Sequence, residues 1–397
     1  MYSVFVNQNE NKVLSKVLKD VFMKKLVYAD NAATTKLDDE AFEAMKPYLL
    51  NDYGNASQPY SFSRASKKAL KNARQIIAEC INAQPEEIYF TSGGTESDNW
   101  AIKGSFFLNN KGIIITSEIE HHAILNSTKA IESMGCEVVY LKPTKEGLIT
   151  IDELSKAVTK QTSLVSVMFA NNEIGTIQPI KELAKIAHKS GALFHTDAVQ
   201  AVGHIKLDVK DLDVDMLSAS AHKFNGPKGI GFLYIKNGTP LIPYIDGGAQ
   251  ESSLRAGTEN IASIVGMAYA LKKNCEQIEK NTSKVRELEK DLLDLLGVSN
   301  NKEIIKNGGN NTLPGTISLS FKNQNGEAML HRLDLKGICV STGSACDGKD
   351  TNISHVLKAI KLDEKYANGT IRISLSKNNT KDEIMIIYEE IKRILQK

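Results

Sequence analysis

The chain has 397 residues, 42% of them hydrophobic, and its 49 lysines and arginines nearly balance 47 aspartates and glutamates. This length predicts two lobes with large cores, and the balance of charge excludes a strong field for nucleic acid or an acidic membrane. The five cysteines are odd in number and lack CxxC spacing, which argues against a disulfide framework. Because neither an apolar membrane span nor a signal peptide is recognisable, we expect a cytoplasmic protein.

The first 22 residues carry a pattern of their own. In NKVLSKVLKDVF (11–22), apolar residues recur at helical spacing with lysines between them. This pattern predicts a short amphipathic leader helix within residues 1–22, to which we assign no function. Packing against its own protein and contact with a membrane or partner both stay open, and Met23 is an alternative start.

Helix-like and strand-like segments alternate between residues 64 and 235. Apolar residues three or four apart predict helices over 64–81 and 181–191. The alternation predicts an α/β fold with a mostly parallel, seven-stranded sheet, in which ligands bind at the carboxyl ends of the strands. The predicted strands lie in EIYFTS (87–92), GIIITSE (112–118), EVVYLKP (137–143), SLVSVMFA (163–170), ALFHTDA (192–198), DMLSASA (215–221) and GFLYI (231–235).

The first of these strands leads into the glycine-rich stretch TSGGTESDN (91–99). Gly93 and Gly94 permit a tight turn, and Thr95 begins a helix whose N-terminal amides and dipole could bind a phosphate. Plain turn chemistry explains the same glycines, and no GxGxxG or GxxxxGK[ST] motif identifies a nucleotide. The phosphate interpretation therefore depends on what the neighbouring strands carry.

Two later strand ends supply a carboxylate and a lysine. Asp197 follows one strand and could cap a helix or hold a protonated ring nitrogen. Lys223 follows the next strand; alone it would be read as a surface charge, but it lies on the same predicted edge. A phosphate cradle, an anion for a ring nitrogen and an amine that forms a Schiff base are what pyridoxal 5'-phosphate requires. The sequence predicts that cofactor.

A series of motifs runs along the chain from about residue 26 to about residue 390. They are YADNAATT (28–35), TSGGTESDN (91–99), EHHAIL (120–125), NNEIG (171–175), HTDAVQ (195–200), SAHKFNGPKGIG (220–231), LRAGTEN (254–260), STGSAC (341–346) and IRISL (371–375). In this order they resemble the class-V aminotransferases of fold-type I, and specifically the cysteine desulfurases of iron–sulfur cluster and nitrogenase assembly. The resemblance implies conversion of L-cysteine to L-alanine, a homodimer, and a sulfur-acceptor or iron–sulfur scaffold protein as partner. It implies no membrane and no direct nucleic-acid binding.

The resemblance also implies roles for single residues. Catalytic roles fall on Lys223, on Cys346 and on His121, which stacks on the cofactor ring and moves protons. Arg372, Asn31 and Asn172 would bind the substrate, with the guanidinium of Arg372 on its carboxylate. No metal ligands are predicted, apart from Cys346 as a transient ligand of an iron–sulfur cluster. The implied cofactor-binding residues are Gly94, Thr95, Asn172, Asp197, Gln200, Ser220, His222, Lys223 and, from the neighbouring subunit, Thr258.

Cys346 is the predicted sulfur nucleophile. Its thiolate would attack the substrate's sulfur, leaving alanine and a persulfide on Cys346. The small and polar residues of STGSACDGKDTN predict an exposed, mobile loop. Residues 347–350 depart from the Thr or Ser that commonly follows this cysteine. The acceptor therefore stays open among cluster assembly, nitrogenase maturation, tRNA thiolation and DNA sulfur modification.

We predict a large cofactor-binding domain over residues 36–275 and a small domain that combines residues 23–35 with 276–397 and carries the cysteine loop. In the small domain, VRELEKDLLDLL (285–296) predicts an amphipathic helix, and TISLSF (316–321), ICVST (338–342) and IRISL (371–375) predict strands. The substrate would bind between the two domains. Alternative functions are another pyridoxal-phosphate-dependent aminotransferase reaction, a selenocysteine lyase, and a sulfur-relay protein without catalysis. The presence of Lys223, Asp197 and Arg372 together argues against the relay.

Overall fold

A computed structural model of the protein describes residues 26–108, 112–343 and 353–396. The predicted leader helix, the alternative start at Met23 and the predicted nucleophile Cys346 lie outside the described residues. Within the described part of the chain, no helix has both the length and the apolar character that a membrane span needs.

Strands and α-helices alternate along the described chain. In chain order they are β1 (Val27–Tyr28), α1 (Asp39–Leu50), α2 (Arg64–Cys80), β2 (Ile88–Thr91), α3 (Gly94–Leu108), β3 (Ile113–Ser117), α4 (His122–Glu132), β4 (Val138–Leu141), α5 (Ile151–Ala157), β5 (Thr162–Ser166), α6 (Ile180–Ser190), β6 (Leu193–Asp197), α7 (Val209–Leu212), β7 (Met216–Ser220), β8 (Gly231–Ile235), α8 (Ile261–Glu276), α9 (Ile278–Leu295), β9 (Ile304–Lys306), β10 (Thr316–Phe321), α10 (Gly326–Asp334), β11 (Ile338–Cys339), α11 (His355–Ala359), α12 (Glu364–Ala367), β12 (Thr370–Ser374) and α13 (Lys381–Leu395).

Seven strands form the central sheet of the larger lobe, in the order β2, β8, β7, β6, β5, β3, β4. Neighbours from β7 to β4 pair in parallel, whereas β8 runs antiparallel to both β2 and β7. Strands β3, β7 and β8 are buried along their whole length, as expected where helices cover both faces of a sheet. The predicted α/β fold with a mostly parallel, seven-stranded sheet is confirmed.

The two helices predicted in this lobe form where the apolar spacing indicated. Helix α2 buries Ala69, Ala73 and Ile77, which follow one another at intervals of four residues on one face. Helix α6 ends at Gly191, whose φ of 87° lies in the left-handed region that glycine adopts without strain. Local pattern alone was sufficient to locate both helices.

The second lobe contains a three-stranded antiparallel sheet in the order β12, β10, β9, together with the parallel pair β1 and β11. Ile317, Leu319, Ile371 and Ile373 of this sheet pack with Ile387 of α13. This apolar cluster is separate from the one that surrounds the seven-stranded sheet. The domain boundaries predicted at residues 35 and 275 remain a prediction.

Two elements of the second lobe differ from the prediction. The helix predicted over 285–296 begins earlier, at Ile278, because its added turns are polar and carry no apolar signal. The strand predicted in ICVST is confined to Ile338–Cys339. The chain changes partner there: β11 pairs with β1, whereas Ser341 forms an isolated bridge with Arg372 of β12.

Candidate active site

A cavity of about 410 Å³ lies between the two lobes, at the carboxyl ends of β6 and β7. This is the edge of an open α/β sheet at which ligands generally bind. Arg372 and all predicted cofactor-binding residues except Thr258 meet in this cavity. The larger lobe contributes Gly94, Thr95, His121, Met168, Asn172, Asp197, Val199, Gln200, Ser220, His222 and Lys223, and the chain around β1, β11 and β12 contributes Asp30, Ala32, Ala33, Ser341, Thr342, Gly343 and Arg372.

A tightly packed turn leads into α3 at one side of the cavity. A Cβ atom on Gly94 would lie 2.5 Å from Cγ2 of Val199 and 3.6 Å from Cβ of Ser220, so only glycine fits there. Gly93 has a φ of 151°, which also favours glycine. The first turn of a helix has N–H groups without intrahelical acceptors and the positive end of the dipole. This turn therefore suits an anionic group such as a phosphate.

His222 lines the cavity near this turn, with Nδ1 3.2 Å from Oγ1 of Thr34. Burial, followed by the positive charges of Lys223 and Lys228, lowers the pKa of His222 to about 4. The imidazole is therefore neutral at pH 7, and it acts through hydrogen bonds rather than through charge.

Asp98, His121 and Asp197 form what we call the floor of the site. One carboxylate oxygen or ring nitrogen of each lies within 4.8 Å of the others. Asp197 ends β6, and its Oδ1 accepts a hydrogen bond of 2.9 Å from the N–H of Val199. His121 caps α4: its Nδ1 accepts the N–H of Ala123 at 3.1 Å, which assigns the proton of the neutral ring to Nε2. The floor therefore offers a carboxyl group and an imidazole N–H.

Burial controls the charges of the floor. It raises the pKa of Asp197, and it raises the pKa of Asp98 well above its ordinary value, with the charge of Asp197 as the next cause. Burial lowers the pKa of His121, and the attraction of Asp197 opposes that change. Two buried carboxyl groups this close together favour a cationic ligand group over an anionic one. A protonated heterocyclic nitrogen meets this requirement.

Sequence reasoning missed Asp98, which is fully buried on α3. Its Oδ1 lies 3.8 Å from Nε2 of His195. The His195 ring is held between the hydroxyls of Ser166 and Ser218, each at 2.9 Å, and burial lowers its pKa to about 3. The sequence offered one signal: Asp98 stands just before the apolar residues WAI (100–102), and a carboxylate beside such residues in a helix needs a polar partner.

Lys223 lies in the turn that follows β7, and its amine is directed at the loop after β1. Its Nζ donates hydrogen bonds to the carbonyls of Ala32 at 2.6 Å and Ala33 at 2.8 Å. Gln200 donates from Nε2 to the carbonyl of Ala32 at 3.1 Å. The amine is thus oriented at the boundary between the lobes, beside the floor.

Asp30, Asn172 and Arg372 form the opposite side of the site, which we call the wall. Arg372 lies on β12; its Nη1 donates to the carbonyl of Asn172 at 2.8 Å and its Nη2 to Oδ1 of Asp30 at 2.7 Å. Its Nε is buried and has no hydrogen-bond partner among the described residues. Because a guanidinium has five N–H donors, the group is oriented and still has donors for a carboxylate. Sequence reasoning missed Asp30, although it stands within YADNAATT.

Two predicted site residues lie away from this cavity. Asn31 donates from Nδ2 to the carbonyl of Ser374 at 2.8 Å and is not among the cavity-lining residues. Thr258 lines a separate cavity of about 130 Å³ with Ser92 and Gly257, next to the turn that begins α3. Their roles in substrate and cofactor binding stay predictions, as does that of Cys346, which lies outside the described residues.

The model of the aminotransferase class-V family matches residues 27–387. This match covers both lobes, the floor and the wall. The chain therefore belongs to the class-V aminotransferase family, as the motifs predict.

Similar proteins within the family are cysteine desulfurases. "Cysteine desulfurase IscS" of Dictyoglomus turgidum is 47% identical over 385 residues, which cover 94% of this chain and 96% of that protein. A solved structure of a "NIFS-LIKE PROTEIN" is 38% identical with a TM-score of 0.88, covering 94% of this chain and 99% of its own. A structure described as "SspA in complex with cysteine" is 37% identical with a TM-score of 0.79, covering 89% of this chain and 100% of its own. The predicted resemblance to the cysteine desulfurases is confirmed.

Proposed function

We propose that the protein is a pyridoxal 5'-phosphate-dependent cysteine desulfurase that converts L-cysteine to L-alanine and holds the released sulfur as a persulfide on Cys346. The observation that carries the proposal is the meeting of Lys223, Asp197 and Arg372 in one cavity between the lobes. The relatives named cysteine desulfurase support the same reaction. This combination also favours turnover over a passive sulfur relay.

The residues present suit the cofactor. Lys223 would hold its aldehyde carbon, Asp197 its ring nitrogen, and the turn at Gly94 its phosphate, with Ser220 and His222 beside it. The buried carboxyl pair of the floor and the Cβ-free turn support this assignment, because they match a cation at one end and an anion at the other. When bound, pyridoxal 5'-phosphate supplies an electron sink for the bonds at the substrate's Cα.

Substrate binding and proton transfer fall to the wall and to two basic side chains. The guanidinium of Arg372 binds the α-carboxylate of L-cysteine, and Asp30 and the carbonyl of Asn172 keep it in place. Lys223 Nζ takes the Cα proton. His121 moves a proton at Nε2, since its Nδ1 is occupied by the N–H of Ala123.

The sulfur step belongs to Cys346. Its thiolate attacks the substrate's Sγ; an S–S bond forms while the Cβ–Sγ bond breaks, and the electron pair stays with Cβ, which takes up a proton. The carbon skeleton leaves as alanine and the sulfur stays as a persulfide. Cys346 stands three positions after Gly343, which lines the cavity, and an extended chain spans about 10 Å over three positions. Covalent connectivity therefore ties the thiol to the neighbourhood of the cavity.

Incubation of the purified protein with L-cysteine tests the proposal. We expect alanine and a persulfide on Cys346 in equal amounts in a single turnover, and loss of both in Cys346→Ser with the cofactor's absorbance retained. Alanine formation by Cys346→Ser would contradict the nucleophile, and a keto acid or a preference for selenocysteine would favour an aminotransferase or a selenocysteine lyase. A purified protein that cannot be loaded with the cofactor would favour the relay.

We expect this enzyme to be a cytoplasmic homodimer that delivers sulfur to an acceptor or iron–sulfur scaffold protein. The position of Thr258 supports the dimer, because it lies outside its own subunit's cavity and yet beside the turn at Gly94. Analytical ultracentrifugation at several protein concentrations measures the oligomeric state. A monomer that binds the cofactor fully would contradict the role of Thr258.

A further inference from the structure

Glu173 follows Asn172 of the wall, but its side chain does not line the cavity. It is buried, with 5% of its surface exposed. A buried carboxylate is costly unless it is well bonded, so its contacts need an explanation. Both contacts described next lie at the ends of one chain segment, residues 344–352, within which Cys346 stands.

The first contact is with the chain that follows this segment. Oε2 of Glu173 accepts a hydrogen bond of 2.6 Å from Oγ of Ser354, which is itself buried. The same Oγ accepts the N–H of Val356 at 3.1 Å and so caps α11. Glu173 thereby fixes the side chain of Ser354, the N-cap residue of α11.

The second contact is with the chain that precedes the segment. A Cβ atom on Gly343 would lie closer than 3.0 Å to Oε2 of Glu173, 3.1 Å from its Cδ and 3.2 Å from Cβ of Ser354. Gly343 is not among the glycines with positive φ, so its backbone does not require glycine. It is glycine because the carboxylate of Glu173 and Ser354 occupy the space that a side chain would need.

Glu173 is itself held on a rigid turn. Oδ1 of Asn171 accepts the N–H groups of Glu173 at 2.9 Å and of Ile174 at 3.0 Å. Nδ2 of Asn171 donates to the carbonyl of Ile119 at 2.8 Å. The neighbouring carbonyl of Asn172 accepts the hydrogen bond of Arg372, so this turn joins Glu173 to the wall.

We infer that Glu173 is a positioning residue that ties together the two chain ends, Gly343 and Ser354, between which the nucleophile stands. The inference rests on the proposed function of Cys346. Holding both ends of a segment reduces the volume that its middle can explore, which raises the effective concentration of a reacting group near the substrate. In this role Glu173 acts through the tie and not on a reacting atom.

A double-mutant cycle with Glu173→Ala and Gly343→Ala tests the tie, measured as the single-turnover rate of persulfide formation on Cys346. We expect Glu173→Ala to lower this rate by about tenfold or more, while the cofactor's absorbance and its response to L-alanine stay unchanged. Gly343→Ala alone clashes with the carboxylate and lowers the rate as well. The double variant should be no slower than Glu173→Ala, because the clash partner is gone.

Controls separate this role from a general loss of stability. Glu87 is similarly buried and accepts the N–H groups of Gln84 and Asn237 on another side of the lobe. Glu87→Ala should lower the Tm without changing the rate of persulfide formation. If Glu173→Ala does not fold, Glu173→Asp, which withdraws the carboxylate by one methylene from both Gly343 and Ser354, replaces it in the cycle.

Either of two outcomes would overturn the inference: a persulfide rate for Glu173→Ala within about twofold of the wild-type rate, or effects of the two substitutions that simply multiply. Failure of the proposed function looks different, because the wild-type protein would then form no persulfide at all.

Discussion

The floor and the wall of the site are built in different ways. The floor residues all belong to the larger lobe: His121 follows β3, Asp197 ends β6, and Asp98 lies on α3, which packs on the same sheet. The wall joins Asp30 and Arg372 of the second lobe, which are 342 positions apart in the chain, to the carbonyl of Asn172 in the larger lobe. The floor is therefore built within one lobe, whereas the wall is complete only when the two lobes pack together.

This difference determines which part of the reaction depends on each side of the site. Floor residues are fixed by a buried sheet, and burial itself adjusts their protonation. Wall residues depend on a partly buried ion pair between Arg372 and Asp30 and on the carbonyl of Asn172. A change at the floor should affect the chemical step, and a change at the wall should affect substrate binding.

Removal of the amine beside the floor should have the largest effect. We expect Lys223→Ala to lower alanine formation from L-cysteine by about 10³-fold or more, because both the cofactor-holding group and the base are lost. The exposed Lys228 provides the matched control, and Lys228→Ala should retain the wild-type rate. A Lys223→Ala protein with near wild-type turnover would remove the basis for distinguishing floor from wall.

At the wall, Arg372→Lys should raise the KM for L-cysteine more than it lowers kcat. Loss of the two-pronged guanidinium contact costs about 1.5–3 kcal/mol for a charged hydrogen bond, or about 10- to 150-fold in KM. Asp30→Asn should give a smaller rise, since it only releases the orientation of Arg372. If Arg372→Lys changed kcat alone, the wall would belong to the chemical step and the comparison would fail.

The smallest effect concerns the support beneath the floor and appears in stability rather than rate. Because His195 has a pKa of about 3 when folded and about 6.5 when unfolded, it contributes stability above pH 6.5 that is lost as the pH falls toward 3. The loss is at most about 1.4 kcal/mol per pH unit. Urea unfolding of wild type and His195→Gln should therefore show a stability difference that shrinks with acidification.

The comparison with His195→Gln is needed because buried carboxyls act in the opposite direction. Burial raises the pKa of Glu120 to about 8, so the contribution of Glu120 to the free energy of unfolding falls as the pH rises. Both proteins retain Glu120, and its contribution cancels in the difference. A difference that stays constant from pH 7 to pH 4 would mean that His195 does not titrate as its burial requires.

The seven-stranded sheet, helices α2 and α6 and the glycine turn could be predicted from the sequence, because each is a local pattern of spacing or backbone freedom. The change of pairing partner from β1 to β12 at Ser341 could not be predicted, because a strand of two residues has no detectable period. The early start of α9 was missed because polar turns carry no such pattern.

The sequence by itself determined that Asp197 and Lys223 stand at strand ends, and its resemblance to the family implied His121. Only the tertiary structure decided the partners of those groups. Asp98 is buried on α3, Arg372 is oriented by Asp30 and by the carbonyl of Asn172 from the larger lobe, and Glu173 joins Gly343 to Ser354. The physical reason is that pattern and propensity act over a few residues, whereas burial and ion pairing depend on segments that meet only after the chain has folded.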